Sequence, residues 1–550
     1  MELELFEKTW LDVWEGREPK EPVGAIFTKP EITSLILDLA GYSPDKARLA
    51  NFHLLEPSCG DGAFIAEVIN RLLTSEIVHR KTVDWDDSQL NEAVTACDLN
   101  SGFVDLARHA TLTLLTQAGC PNLRARELST RWIRHADFLL TAWPYPFDFV
   151  VGNPPYVRIE ELPATVLKRY REIYRTCTDR ADLYVAFFEK GLQLLAPQGC
   201  LAYICANRFA KNLYGRELRL LIAQEYHVRY YLNLEHTQPF VSEVSAYPCI
   251  AVIDRARGLP TQAATLERAD ASSLRGLRPT DALPDERLTA FNSWYADGAP
   301  WIATERGSFD RLSLLASRCP LLEQSAEDTK VGIGVATGAD EIYVRQGLEA
   351  GIESSCQLPL VMAADIKPAA LTWSGHYLIN PFADEDDGRL RDLSAYPGLS
   401  AYFDKHRLAL RARHVAKKRS ASWYRTIDRV TLTLTAKPKL VIPDIQSGGV
   451  VGYDDGKFYP HHNVYWITST GWNLRALQAL LRSSIVLEQI RAHSVQMRGG
   501  ALRYQAQVLR KVRLPEYARL PADLVANLAA LAGSADQAQI NALAVEAFAL

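Results

Sequence analysis

Long apolar runs are missing from this 550-residue chain, and none reaches the length of a membrane span. A helical transmembrane protein is therefore excluded, and the acidic opening Met1-Glu2-Leu3-Glu4 does not read as a signal peptide. Cysteine is sparse: nine residues are scattered without the paired spacing of a thiolate metal site. That argues against structural zinc and for a reducing cytoplasm, and no metal is expected. Net charge is nearly absent too, −4 from 61 basic and 65 acidic residues, so no global field draws the chain toward a polyanion. Internal repeats and low-complexity tracts are lacking. What is present, 48% hydrophobic and 23% charged residues, is the balance of a soluble globular protein. The length exceeds one ordinary core, so two domains are expected.

The most informative segment is Val150-Val151-Gly152-Asn153-Pro154-Pro155-Tyr156-Val157-Arg158. The preceding run Phe147-Asp148-Phe149-Val150-Val151 is rich in β-branched and aromatic residues and stops at Gly152, so it reads as a buried strand ending in a rigid loop. Ligands of open α/β sheets bind at the carboxyl ends of strands. Consecutive prolines fix φ twice and remove two donors, leaving the Pro154 carbonyl free to accept. Asn153 adds a side-chain acceptor, and Tyr156 a ring that can stack on a base. Such a loop suits methyl transfer to an exocyclic amine, whose lone pair is delocalised. Two acceptors on its hydrogens would localise that pair for in-line attack, by positioning and electrostatics alone. The competing reading is a proline-rich turn with no ligand.

Upstream, His53-Leu54-Leu55-Glu56-Pro57-Ser58-Cys59-Gly60-Asp61-Gly62 reads as a strand and a glycine-bearing turn opening a helix. It is not the dinucleotide fingerprint, because Glu56 opens the turn and a third spaced glycine is missing. A carboxylate there repels pyrophosphate but attracts an amino group or a sulfonium. The next strand, Ala93–Cys97, ends at Asp98-Leu99-Asn100, where an acid commonly binds ribose hydroxyls. Asp137-Phe138 offers another acid and ring ahead of the strand that leads to Asn153.

In this order the motifs resemble the amino-group (N6-adenine) DNA methyltransferases of the γ arrangement, with TaqI-like enzymes as the nearest type. The resemblance implies a doubly wound, Rossmann-like α/β catalytic domain that binds S-adenosyl-L-methionine, followed by a mixed α+β DNA-recognition domain. It assigns Thr28 of Phe27-Thr28-Lys29-Pro30 to a cofactor motif, from whose usual Thr-Pro the intervening lysine departs. Glu56, Ser58, Cys59 and Gly60 take the methionine part of the cofactor. Asp98 takes the ribose, Asp137 and Phe138 the adenine end, and Leu99 and Pro155 complete the cofactor contacts. Asn153, Pro154 and Tyr156 become the catalytic motif. Phe240, in Pro239-Phe240-Val241 before the strand Cys249–Ile253, becomes the ring that clamps a flipped adenine opposite Tyr156. The implied setting is protection of double-stranded DNA from a separate restriction endonuclease.

The boundary is expected between Arg255 and Pro300: a catalytic domain over 1–260, a linker region over 261–300 and a recognition domain over 301–550. Between Lys405 and Arg429 nine basic residues face one acid, Asp428, with Trp423 and Tyr424 interleaved. Such a segment is the footprint of phosphate contact, or else a solvated helical face. Lys417, Lys418 and Arg419 are its candidates for DNA binding. Arg498 and Arg503, flanking Gly499-Gly500, suit a backbone that approaches phosphates closely. Residues 521–550 read as closing helices.

Competing readings are a methyltransferase acting on RNA or on a protein glutamine, and a silent DNA-recognition subunit. A nuclease-linked protein is another, because Pro443-Asp444 with Asp455-Gly456-Lys457 matches the spacing of a metal-dependent cleavage site. Methylation at ring carbon needs a cysteine nucleophile, and Pro248-Cys249 runs straight into a core strand. Amino-cytosine remains open by residue type, with Asn153 favouring adenine by resemblance. The recognition sequence and the oligomeric state are not legible.

Overall fold

The computed structural model describes residues 13–14, 26–242, 244, 247–256, 258–277, 286–292, 294–295, 298–302, 304–368, 370–383, 388–494 and 500–550. The chain divides into two compact units, Met1–Phe309 and Asp310–Leu550.

The first unit is built on a nine-stranded sheet in the order β3-β2-β1-β4-β5-β7-β6-β8-β9. Its strands are β1 (Leu54–Glu56), β2 (Val94–Asp98), β3 (Ile133–His135), β4 (Phe147–Gly152), β5 (Leu195–Ala206), β6 (His227–Asn233), β7 (Pro248–Asp254), β8 (Thr261–Thr265) and β9 (Thr289–Phe291). β3, β2, β1, β4 and β5 run parallel, and β7 enters antiparallel between β5 and β6. The chain winds outward from β1 through β2 to β3 on one side and from β4 to β5 on the other. The order reverses between β1 and β4, and the resulting crevice lies beyond their carboxyl ends, at Glu56 and Gly152.

Both faces of this sheet are covered, and the sequence shows why. Along β5, Leu201, Tyr203 and Cys205 join one buried cluster while Cys200, Ala202 and Ile204 join the other. Side chains alternate with period two, so a continuous apolar run is what a doubly covered strand requires. Helix α1 (Pro30–Ala40) supplies part of the cover. Pro30 stands at its first turn, where a missing N–H costs nothing, and Gly41 closes it at φ +88°. Its Ile32, Leu35, Ile36 and Leu39 are fully buried, each contributing about 1.5–3 kcal/mol of transfer free energy. Helix α2 (Ala63–Arg80) starts at Gly62 with φ +90°, where an added Cβ would stand 3.2 Å from Ala107 Cα of α3 (Ser101–Gln117).

The domain expectation needs correction here. Residues 261–300 read as a linker because strand signals fade among Pro, Asp and Arg, yet they carry β8 and β9, and β8 pairs with β6 in parallel. Short strands near a sheet's edge offer few residues of alternation to read, and their pairing is decided by the sheet they join. The boundary falls at Phe309/Asp310.

The second unit holds two four-stranded sheets, β10-β18-β14-β16 and β11-β13-β12-β17, and the pair β15-β19. Its strands are β10 (Lys330–Ile333), β11 (Val344–Gln346), β12 (Gln357–Val361), β13 (His376–Ile379), β14 (Lys439–Pro443), β15 (Ile445–Gln446), β16 (Gly452–Asp454), β17 (Tyr459–Pro460), β18 (Val464–Thr468) and β19 (Leu502–Arg503). A fully buried ion pair, Lys439–Asp454 at 2.6 Å, joins β14 to β16. Helices Ala522–Ala530 and Gln537–Phe548 end the chain, as the leucine and alanine spacing predicts. All nine cysteines of the chain are free and buried. No helix among the described residues is long and apolar enough to cross a membrane.

Candidate active site

A cavity of about 360 Å³ opens at the β1/β4 crevice of the first unit. Thr28, Glu56, Ser58, Cys59, Gly60 and Asp98 line it, as do Leu99, Asp137, Phe138, Asn153, Pro155 and Tyr156. The sheet thus brings together nearly every residue that the motifs single out. Pro154 is buried and joins the lining residues Asn153 and Pro155, and Phe240 lies beside Tyr156.

Asn153 is held from one side only. Its amide nitrogen donates to the Ile26 carbonyl at 2.7 Å and to Thr28 Oγ1 at 3.3 Å, which turns Oδ1 the other way. That Oδ1 is buried and has no partner. An unpaired buried acceptor costs roughly 1–3 kcal/mol and is retained where it serves a ligand. Thr28 therefore faces Asn153 as well as the cavity. Its strand segment is fixed against Phe240 by a β-bridge, with Val241 N–H donating to the Phe27 carbonyl at 2.9 Å.

Glu56 closes β1 and is only 1% exposed, and its Oε2 is likewise buried without a partner. Burial, with Asp98 and Asp61 nearby, pushes its carboxyl well above the ordinary range. Gly152, beside it at the end of β4, holds φ +150°, a conformation that a side chain rarely adopts. Asp98 accepts from Gly60 N–H and Asn100 N–H, each at 2.9 Å. Burial raises its carboxyl against those bonds, and oxygen lone pairs remain for a diol. The glycine turn is tied to the Asn153 loop by Ser58 Oγ, which donates to the Asn153 carbonyl at 3.1 Å. Burial first, then Glu56 and Asp98, push the Cys59 thiol well above its usual value.

Asp137 differs from the expectation. One of its oxygens accepts from the Leu139 and Leu140 N–H groups, the other from Tyr170 Oη at 2.6 Å and Trp14 Nε1 at 2.8 Å. Four donors occupy the four lone pairs a carboxylate ordinarily offers, so Asp137 organises the cavity wall. Lys190, buried, donates to the Leu139 and Thr141 carbonyls of the same turn, lies 5.3 Å from the Phe138 ring centroid, and is pushed down to about 8 by burial. Trp14 and Tyr170 escaped the sequence reading because each stands alone, outside any motif. Asn100 and Phe103, also in the lining, could have been found as the cap and first turn of α3 after Asp98.

The two rings expected to sandwich a base meet edge to face, Tyr156 and Phe240 having centroids 6.0 Å apart at 85°. Parallel stacking on both sides of a base needs about twice the ~3.5 Å contact distance, so one ring must turn to admit it.

In the second unit, the basic segment folds as the short helices Pro397–Lys405, Arg407–Ala412 and His414–Lys418. Its charges divide. Arg413 donates to the carbonyls of Thr337, Trp423 and Arg425, and Arg407 and Arg411 cover the Trp423 ring at 5.1 and 5.6 Å. Lys417, Lys418 and Arg419 are exposed, and the latter two share a cavity with Arg425, His414 and Gly338. Arg503 is engaged otherwise than expected, in a two-point ion pair with Asp444 across the β15/β19 pair. Arg498 lies outside the described residues.

The nuclease reading does not assemble. Lys439 pairs with Asp454 in the β14/β16 register, so Asp444 lies about five residues along from that end, roughly 16 Å. Asp455 and Lys457 pair with each other at 2.9 Å.

An open α/β sheet with its cavity at the reversal of strand order, lined by acceptors that lack partners, defines a ligand-binding enzyme fold of the doubly wound class. Residues 85–240 match the family described as Eco57I restriction-modification methylase. The chain is 38% identical to the type II methyltransferase M.XhoI of Xanthomonas vasicola, over 96% of this chain and 97% of that one. It is 41% identical to M.BstVI of Geobacillus stearothermophilus, over 90% of each. The chain belongs to the type II methyltransferases of restriction-modification systems. Its fold is similar to that of the type IIL restriction-modification enzyme MmeI, solved in complex with DNA, with a TM-score of 0.61 at 13% identity over 98% of this chain and 75% of that one.

Proposed function

We propose that this DNA methyltransferase is adenine-specific, of the TaqI-like Asn-Pro-Pro-Tyr type, and transfers the methyl group of S-adenosyl-L-methionine to the N6 amine of a flipped base. The observation that carries this is the orphaned Asn153 Oδ1, set by Ile26 and Thr28 to receive a donor from outside the protein.

The cavity suits that cofactor. The buried, unpartnered Glu56 Oε2 calls for a cationic or amino group, Asp98 for a diol, and Gly60 at φ +52° keeps the turn free of a Cβ near Phe27. When bound, the cofactor supplies an electrophilic methyl on a sulfonium. The protein does the rest by placement. Asn153 Oδ1 and the Pro154 carbonyl accept from the two amine hydrogens and draw the nitrogen lone pair out of the ring. Tyr156 stacks on the base, and Phe240 turns to cover its other face. Neither an amide oxygen nor a carbonyl is basic enough to keep a proton at neutral pH. The amine proton released after transfer therefore passes to water. Thr28 positions Asn153, and Asp137 holds the wall around the adenine end together with Phe138.

The second unit reads the DNA in this proposal, with Lys417, Lys418 and Arg419 on phosphates, and the cleavage partner is a separate endonuclease. The test is transfer of labelled methyl to unmethylated genomic DNA followed by nucleoside analysis. N6-methyladenine confined to one short sequence is expected. N4-methylcytosine would reassign the base, and label absent from DNA while the cofactor binds would overturn the reading.

A further inference from the structure

The turn between β17 and β18 carries His461-His462-Asn463, and it lies against the loop that leads from β10 to Asp340. The two are locked by backbone: Val335 N–H donates to the Pro460 carbonyl at 3.0 Å and Gly334 N–H to the Val464 carbonyl at 2.9 Å, while His461 N–H ties the turn to the Val361 carbonyl of β12 at 3.1 Å. Gly334 makes the approach possible, since a Cβ there would stand 2.2 Å from the carbonyl oxygens of Pro460 and His461. Three ligand-type atoms converge as a result. His461 Nε2 is 3.0 Å from Asp340 Oδ2 and 3.0 Å from His462 Nδ1, and the latter is 3.8 Å from Asp340 Oδ2.

The surroundings decide what these atoms can be. His461 Nδ1 lies 2.8 Å from Asn463 Oδ1, an acceptor, so the ring carries its proton there and presents a lone pair at Nε2. Thr337 Oγ1 donates to the other oxygen of Asp340, which fixes the carboxylate. Lone pairs of two imidazoles and a carboxylate thus point at one another, and they need a positive centre among them. A tetrahedral ion with ligands at about 2.0–2.1 Å has ligand edges near 3.3–3.4 Å, within the observed spread. Asp428 and Asp444 add negative charge around His462. Side-chain exposure is 4% for His461, 46% for His462 and 43% for Asp340, leaving one side open for water or another oxygen ligand.

We propose that Asp340, His461 and His462 form a site for a divalent transition-metal ion of the zinc type. Two imidazoles and one carboxylate suit such an ion, whereas calcium and magnesium take all-oxygen shells. Cysteine spacing, the usual sequence signal, could not reveal it. The ion would clamp the 334–340 loop to the 461–463 turn. That loop also receives Arg413 and the Ile427 N–H at the Thr337 carbonyl and lends Gly338 to the basic cavity, so the clamp fixes one wall of that cavity. The proposal does not depend on which base is methylated.

The experiment uses the untagged full chain, stripped with a chelator. Zinc titration by calorimetry should show one tight site per chain, cobalt should give the visible absorption of a low-symmetry site, and saturating zinc should raise Tm by mass action. His462→Ala and Asp340→Asn, both at half-exposed positions, should each weaken zinc binding at least tenfold while leaving the Tm of the stripped protein within a few degrees. Zinc affinity unchanged in both variants, or no stoichiometric binding to the parent chain, would overturn the site and leave a protonated His-Asp-His network in its place.

Discussion

Asn153 carries a buried side-chain oxygen without a hydrogen-bond partner. Asn153 lines the cavity, and in the proposed mechanism its partnerless Oδ1 meets the substrate amine and not the cofactor. Asn153→Ala is therefore expected to leave S-adenosyl-L-methionine affinity within a few fold and to abolish methyl transfer; loss of both together, by equilibrium binding and labelled-methyl assay, would mark Asn153 as structural. Glu56 predicts a pH dependence of a definite sign. Its folded-state value lies well above the unfolded value of about 4.3, so the ligand-free protein loses stability from this group as pH rises through the folded value and keeps it below the unfolded one. Glu56→Gln should flatten that decline in thermal melts of the ligand-free protein and should lower cofactor affinity at least tenfold, because a cationic ligand loses its counter-charge.

Elements were legible where strong local patterns coincide. The strand leading to Asn153 and the glycine turn after Glu56 fall where the apolar runs and glycines place them, because a doubly covered parallel strand is largely apolar, Asp148 notwithstanding. β8 and β9 were not legible: such short strands take their conformation from the sheet, β8 from β6 and the edge strand β9 from β8. Asp137 was legible as a site residue but not in its engagement, since Tyr170 and Trp14 reach it from distant parts of the chain. Arg503 similarly looks like a phosphate ligand until Asp444 is seen beside it. The junction of turn and helix at Gly62 is the most exacting element. At φ +90° and 3.2 Å from Ala107 Cα, Gly62→Ala should cost about 1–3 kcal/mol in denaturant unfolding and weaken cofactor binding by displacing the glycine turn.

For the molecule as a whole, a net charge of −4 conceals a division of labour. Arg413 spends its charge on carbonyls of its own unit, whereas Lys417, Lys418 and Arg419 remain exposed. Neutralising those three should weaken DNA binding and reduce the salt slope of log K by about 2.7, at roughly 0.9 for each phosphate that a side chain no longer neutralises. An unchanged slope in titrations at several salt concentrations would remove them from the interface. The burial of every cysteine has a consequence of its own. A sulfonium methyl donor is an alkylating reagent, and Cys59 lines the cavity proposed to hold it. Burial first, and then the acids Glu56 and Asp98 that would welcome the sulfonium, keep the neighbouring thiol protonated and therefore a poor nucleophile. The enzyme can carry its reagent next to sulfur, turnover after turnover, without methylating itself.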